Sequence, residues 1–444
     1  MTGAAPPLWR QLQAAAAVLA GVRRGESAGA ALERIDAWQG PTNAFAQVFA
    51  DEARADAELD REGPLAGVPI AVKDLFDVRG HPTTGCCAAI PPIPAERDAT
   101  LVARLRDAGA IVIGKTNQHE LAAGVTNLES ACGPTRNPWD PTRISGGSSG
   151  GSAVAVASGI VPISLVSDTG GSARIPAAFC GTWGLKPTNG RLPTEGMMPL
   201  APEMDCPGLL AASLEDLRLA WEVLAGERDP GRPPHAVGVL LDGRWARCHV
   251  EIRAAIGEAC SRLLRAEVGV NDIGGLDLPD AHHVWNRLAW PSFAERYAGL
   301  IGNPALGAGA SSLLGWGEAH RKEQAEARGR AGGVRVRFDG IFRAVDLLLT
   351  PTTPYVAPPI DAEEVDLGDG STMDVHRGGP SWHTTAASVA GLPALSVPFA
   401  TSSEGLPIGV QLIGRANAED ALLAAADLLR PSDDEPRRPA VPRR

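Results

Sequence analysis

The sequence predicts an α/β fold, a sheet with helices packed on both faces. Short apolar runs of strand length alternate with segments of helical periodicity, which is the spacing of βαβ units. Of the 444 residues, 44% are hydrophobic and 21% charged, a balance that buries a large core and argues against a disordered chain. This length has room for about three domains. No linker divides the chain, however, and no repeat with a period of about 20–50 residues stands out.

Leu8 to Arg24 and Ala28 to Trp38 have helical periodicity, the second with Ser27 as its expected cap. Asn43 to Phe49 reads as a strand and Asp51 to Arg61 as a charged helix. Within "GVPIAVKDLFDV", Gly67 to Val78, the run Val68 to Val72 reads as a buried strand. Residues 98–108 read as a helix and "AIVIGKTN", from Ala110, as a second buried strand. Downstream, Val161 to Val166 is strand-like, Ser213 to Ala225 helical, and "AVGVLL" from Ala236 strand-like. Helices are expected to dominate from Val250 to Phe342, interrupted by glycine-rich loops around Gly302 to Gly309 and Gly329 to Gly333. Asp346 to Leu349, Ala394 to Pro398 and Ile408 to Ile413 read as strands, and Asn417 to Leu429 as a closing helix. The tail from Pro431 is polar and proline-rich and is expected to fray.

A net charge of -11 and a pI near 5.4 argue against a nucleic-acid binder, whose basic footprint raises the pI. The seven cysteines are scattered, odd in number and without a C-x-x-C pair, a pattern of reduced thiols in a cytosol. One apolar run near the N-terminus, Ala14 to Val22, is too short to span a bilayer and lacks a cleavage site. A soluble cytoplasmic protein with no membrane partner is expected.

The chemistry is carried by "GGSSGGSAVAVASGIVPISLVSDTGGSARIPA", Gly146 to Ala177, where two glycine-serine clusters flank an apolar run. A phosphate loop is one reading, but neither G-x-x-x-x-G-K-[ST] nor a G-x-G-x-x-G with its ribose-binding acid is present. A hydrolase elbow with Ser148 as nucleophile is another. It needs a late histidine, for which only His376 and His383 are available, and it leaves "SDTGGS" unused. A third reading uses both clusters, with a neutral lysine as the base that activates a serine. Of 41 basic residues only Lys73, Lys115, Lys186 and Lys322 are lysine, and Lys73 ends an apolar strand. Arginine cannot lose its proton there, whereas lysine can. Lowering its pKa from about 10.4 to about 7 takes roughly 4.6 kcal/mol, within the reach of burial. Asp74 opposes that shift only if it faces the same way, and successive strand side chains do not.

In that order, "GVPIAVKDLFDV", "GGSSGGSAVAVASG", "SDTGGSARIPAAFCG" and "GLKPTNGR" resemble the amidase signature family. The likeness is dense over residues 63–225, faint over 229–345, and returns at "AGLPALSVPF" and "GLPIGVQLIG" within 346–430. It implies a single large α/β/α domain over residues 1–430, with a mixed twisted sheet flanked by helices and 431–444 as a flexible tail. It also implies amide hydrolysis through a Ser-Ser-Lys triad: Ser172 the nucleophile, Ser148 the proton relay behind a cis Gly147–Ser148 bond, and Lys73 the base. Thr169, Gly170, Gly171 and Ser172 would supply backbone N–H donors to the oxyanion, and Asp168 and Arg174 would pair to brace the loop. Substrate carboxylate binding by Arg174 is the alternative. No metal or cofactor is implied, the substrate is a small amide, and a homodimer is left open.

The remaining residues receive structural readings. Cys180 reads as a small buried residue, and Lys115 and Lys186 as structural lysines. His383 reads as a core or surface residue, with a place in the pocket as its alternative. "TTGCCA", Thr83 to Ala88, departs from the family pattern, in which alanine, glycine and serine are expected near Gly85, Cys86 and Cys87. A thiol nucleophile there would have only His81 nearby in sequence. Within the family the rival is the glutaminase A subunit of a tRNA-dependent amidotransferase. "HELAAGVTNLESACGPTRNP", from His119, partly resembles it, but Leu128 and Glu129 replace an expected glutamate and asparagine. The rival from another class is a binding module that kept the fold and lost catalysis.

Overall fold

The computed structural model describes residues 24–226, 231–274 and 281–430, together with Pro439. The strands are β1 Phe45–Val48, β2 Pro69–Lys73, β3 Ile111–Thr116, β4 Ile163–Ser167, β5 Trp183–Lys186, β6 Pro207–Ala211 and β7 Ala236–Val239. They continue with β8 Gly269–Asp272, β9 Leu347–Pro351, β10 Glu364–Asp366, β11 Thr372–Asp374, β12 Ala394–Thr401 and β13 Pro407–Gly414. Eleven of them form one sheet in the order β1-β3-β2-β4-β6-β5-β12-β13-β9-β7-β8, and β10 and β11 form a separate hairpin. β2 runs parallel to both β3 and β4, and β7 parallel to β8 and β9, while the remaining pairs are antiparallel. This is the single α/β domain with a mixed sheet that the sequence implied.

Every residue of β2, β3, β4 and β6 is buried, because helices cover both faces of the sheet. Along β2, Ile70 and Val72 join the large core on one face while Ala71 joins the smaller core on the other. The smaller core is rich in alanine. The helix Gly150–Ala157 is buried along its whole length, and a Cβ on Gly151 would meet Ala44 O at 2.3 Å and Asn117 O at 2.4 Å. Only glycine lets helix and strand backbones approach this closely.

Two expectations are corrected. Ser27 does not cap a helix, because it lies within the helix Arg24–Thr42. Gly329 to Gly333 is no loop: it lies inside the helix Gln324–Ile341, which buries Ala327, Val334, Phe338 and Ile341. Tertiary packing of that stripe outweighs the weak helix propensity of its four glycines, all of which meet open space. Strands β5 and β6 and the helices Gly150–Ala157, Arg174–Cys180 and Thr385–Ala390 had no sequence expectation, and β8 lies in the stretch Val250 to Phe342 where helices were expected to dominate. Most of the Leu8 to Arg24 segment, the apolar run Ala14 to Val22 and the tail from Pro431, Pro439 apart, fall outside the described residues. Among those described, no helix is long and apolar enough to cross a membrane.

Candidate active site

Parallel pairing brings the C-terminal ends of β2, β3 and β4 to one edge of the sheet, where α/β proteins place their ligands. Lys73, Thr116 and Ser167 are the last residues of these strands. Ser148 arrives from the loop that starts the helix Gly150–Ala157, after a cis Gly147–Ser148 peptide bond. Lys73 Nζ lies 2.7 Å from Ser148 Oγ and 3.0 Å from Ser167 Oγ, and all three side chains are buried. Burial drives the Lys73 ammonium down from its ordinary 10.5 to about 7, against the opposing pull of Asp168, Asp205 and the Cys86 thiol. Desolvation wins because none of those groups forms a contact ion pair with it.

Asp74 is occupied elsewhere, as strand alternation requires. Its carboxylate pairs with Lys115 at 2.7 Å and accepts from Thr84 Oγ1 and the Cys86 N–H, each at 2.9 Å. Lys115 also donates to Pro82 O and Thr83 Oγ1, and Lys186 to Pro187 O, Leu392 O and Asn189 Oδ1. Both of these lysines are consumed structurally.

Ser172 sits on the turn that leaves β4, partly exposed. The turn is held through its carbonyls: Trp285 Nε1 donates to Thr169 O at 2.8 Å and Thr384 Oγ1 to Gly170 O at 2.6 Å. Thr169 Oγ1 donates to Asp205 at 2.7 Å. With its carbonyls tied back in this way, the turn leaves the N–H groups of Gly170, Gly171 and Ser172 without an acceptor among the described residues. Gly171 has φ +138, and a Cβ on it would meet Thr384 Oγ1 at 2.3 Å. A Cβ on Gly170 would meet Trp285 Cζ2 at 2.6 Å.

Asp168 and Arg174 form a buried bidentate pair, Nε to Oδ2 at 2.9 Å and Nη2 to Oδ1 at 2.8 Å. The Arg174 guanidinium also donates to Thr384 O, Gln411 Oε1 and Ser388 Oγ, and the Ala173 N–H donates to Asp168. Arg174 holds Asp168 below the usual carboxylate range despite burial, which acts the other way. This full set of partners leaves Arg174 no free direction for a substrate carboxylate. We expect Arg174→Met to destabilise the fold by about 3–5 kcal/mol, because it strands a buried carboxylate. Urea unfolding at neutral pH measures it.

Neither histidine of the elbow reading makes a hydrogen bond to Ser148, whose Oγ partner among the described residues is Lys73. His376 is exposed and lies 3.2 Å from Ala362 O. His383 is fully buried and stacked on Trp245, a core position where burial lowers it to about 3. His81 is taken up by Glu52 and Phe49. Cys180 is fully buried and contacts Ser145 O. Ser167, Trp285, Thr384 and Asp205 are the site residues that the sequence reading did not single out. Only Ser167 carried a local signal, as a polar residue ending a buried strand just before "DTGGS".

A family model described as Amidase matches residues 26–423. The chain belongs to the amidase signature family. Its relatives in that family include AtzE of Pseudomonas sp. (strain ADP), which is one subunit of a 1-carboxybiuret hydrolase and is 35% identical over 90% of this chain and 93% of that protein. The A subunit of the glutamyl-tRNA(Gln) amidotransferase of Synechococcus sp. (strain WH7803) is 35% identical over 89% of this chain and 91% of that protein. Among solved structures, one described as an amidase superposes on this family member with a TM-score of 0.88 at 38% identity, covering 94% and 98% of the two chains. A 6-aminohexanoate cyclic dimer hydrolase with substrate bound gives 0.80 at 28% identity, covering 93% and 94%. These relatives bear different names for what they act on, and this chain shares their scaffold.

Proposed function

We propose that the protein hydrolyses linear carboxylic amides to acid plus ammonia or amine, through an acyl-enzyme on Ser172. One observation carries the reading: a fully buried lysine, lowered by desolvation to about 7, whose Nζ lies 2.7 Å from the oxygen of Ser148. Neutral Lys73 takes the Ser148 proton, Ser148 takes the Ser172 proton, and Ser172 Oγ attacks the substrate carbonyl. The tetrahedral oxyanion meets the backbone N–H groups of the 169–172 turn, which hydrogen bonds to its carbonyls hold in place. Reversal of the relay delivers the proton to the leaving nitrogen, and water then cleaves the ester.

A panel of primary, aryl and dipeptide amides, read by ammonia or amine release from the purified chain, tests the reading. Turnover of none of them sinks it. Gly170→Ala is expected to lower kcat by about 10²-fold with a smaller change in KM, because the new methyl displaces Trp285 from the Thr169 carbonyl that it orients. A second reading, the glutaminase A subunit of a tRNA-dependent amidotransferase, is favoured by the identity with such proteins. Dependence on glutamine, together with stoichiometric co-purification of a second protein chain, would establish it over a free-standing amidase.

A further inference from the structure

We propose that Cys86 and Cys132 form a reversible oxidation site, in which exposed Cys132 meets the oxidant and buried Cys86 closes a disulfide with it. Cys86 stands where the family resemblance expects glycine, and its φ of +48 is a conformation that side chains rarely adopt. The substitution is therefore costly to the backbone and has no counterpart in the hydrolytic reading.

The geometry places the two thiols together. Ala131 N donates to Cys86 O at 2.8 Å, so the loop carrying Cys132 runs beside the loop carrying Cys86, close enough for each thiol to shift the other's titration. The outer loop is pinned: Asn43 Nδ2 donates to Cys132 O at 2.7 Å and Cys132 N to Ser130 Oγ at 3.1 Å. On the inner side, Cys86 Sγ lies 3.6 Å from Asp74 Oδ2. Cys132 is exposed and Cys86 is 1% exposed, so an oxidant in solution reaches only one member of the pair.

Cys132 is also the thiol suited to react. The hydrogen bond from Cys86 lowers it to about 7, whereas burial raises Cys87 to about 12 and Cys206 and Cys248 to about 11. The thiolate is the nucleophile, and a low value in an accessible position marks a reactive cysteine. Cys260, half-buried and raised by burial, serves as the internal comparison.

The chemistry balances with hydrogen peroxide as oxidant. The Cys132 thiolate attacks one peroxide oxygen, the O–O bond breaks, and Cys132 sulfenic acid and hydroxide form. Cys86 sulfur then attacks the sulfenic sulfur, the S–S bond forms, the S–O bond breaks and water leaves. The two thiols lose two electrons and two protons, and peroxide becomes two waters. A resolving thiol on the adjoining loop outcompetes a second peroxide, so Cys132 is diverted from irreversible oxidation.

The test treats the purified chain with a small excess of hydrogen peroxide, blocks the remaining thiols with iodoacetamide, and maps the peptides by mass spectrometry. We expect one intramolecular disulfide joining the Cys86 and Cys132 peptides, fully reversed by dithiothreitol. Cys86→Ser should instead carry sulfinic or sulfonic acid at Cys132. Cys132→Ser should leave Cys86 reduced and amide turnover unchanged, and in the untreated protein Cys132 should alkylate at least about 10-fold faster than Cys260. Over-oxidised Cys132 in the wild-type chain overturns the proposal. So does a disulfide between two chains through Cys132, or earlier reaction at Cys260.

Discussion

Ser172→Ala is expected to lower kcat on every amide the protein turns over by about 10⁴-fold or more, and to leave the unfolding transition where it was. The two halves of this result have separate causes. The hydroxyl of Ser172 is partly exposed, and its side chain makes no hydrogen bond among the described residues, so its removal falls in the range of about ±0.5 kcal/mol typical of such positions. In the proposed mechanism its loss removes the atom that bonds to the substrate carbonyl, leaving the rate supplied by the oxyanion donors and binding alone. A fluorophosphonate probe sharpens the experiment, since the activated serine is the one that becomes labelled. Label on Ser172 in the wild-type chain and none in the variant is the expected pattern. Label on Ser148 would revive the elbow reading, and label on neither would favour a binding module. If Ser148 and Lys73 act as a unit with Ser172, as proposed, the loss in Ser148→Ala should not add to that in Ser172→Ala when the two are combined.

The sequence made some of this site readable and hid the rest for physical reasons. Lys73 stood out because a lysine at the end of an apolar run, in a chain that otherwise uses arginine, is chemically distinctive. Its neighbours Val68 to Val72 read as a strand because both faces of β2 are buried and no polar residue interrupts them. The helix Gly150–Ala157 was illegible for the same reason inverted: buried on every side, "GGSAVAVA" has no amphipathic period to betray it. Strands β5 and β6 are short and buried throughout, with proline and glycine among their residues, so composition alone resembles a loop. Trp285 and Thr384 reach the nucleophile turn from positions more than one hundred residues beyond it in the chain, through single hydrogen bonds to its carbonyls. No local pattern encodes a contact of that kind.

Replacing Lys73 with methionine is expected to abolish turnover and, at neutral pH, to stabilise the fold. Met matches the length of the lysine stem but offers no base, so the relay from Ser148 has no terminus and kcat should fall by about 10⁴-fold or more. The stability effect follows from linkage. Folded Lys73 titrates near 7 and the unfolded side chain near 10.5, so between those values the unfolded chain holds a proton that the folded chain has released. Unfolding therefore takes up a proton, and stability rises with pH across that window. Below about 7 both states are protonated, and the full cost of a buried ammonium, roughly 5 kcal/mol, weighs on the native state. Methionine removes that cost but leaves Ser148 and Ser167 without their partner, a loss of about 1–3 kcal/mol. The net gain in the variant should be about 2–4 kcal/mol near pH 7 and should shrink toward pH 10, where the wild-type lysine has lost most of the penalty. Urea unfolding of both proteins across that range measures the difference, and the pH profile of wild-type kcat/KM, rising to a plateau with its inflection near 7, measures the same proton through catalysis. A wild-type profile that keeps rising toward pH 10, together with a methionine variant less stable than wild type at pH 7, would mean that Lys73 is a cation in the native protein and that the base lies elsewhere.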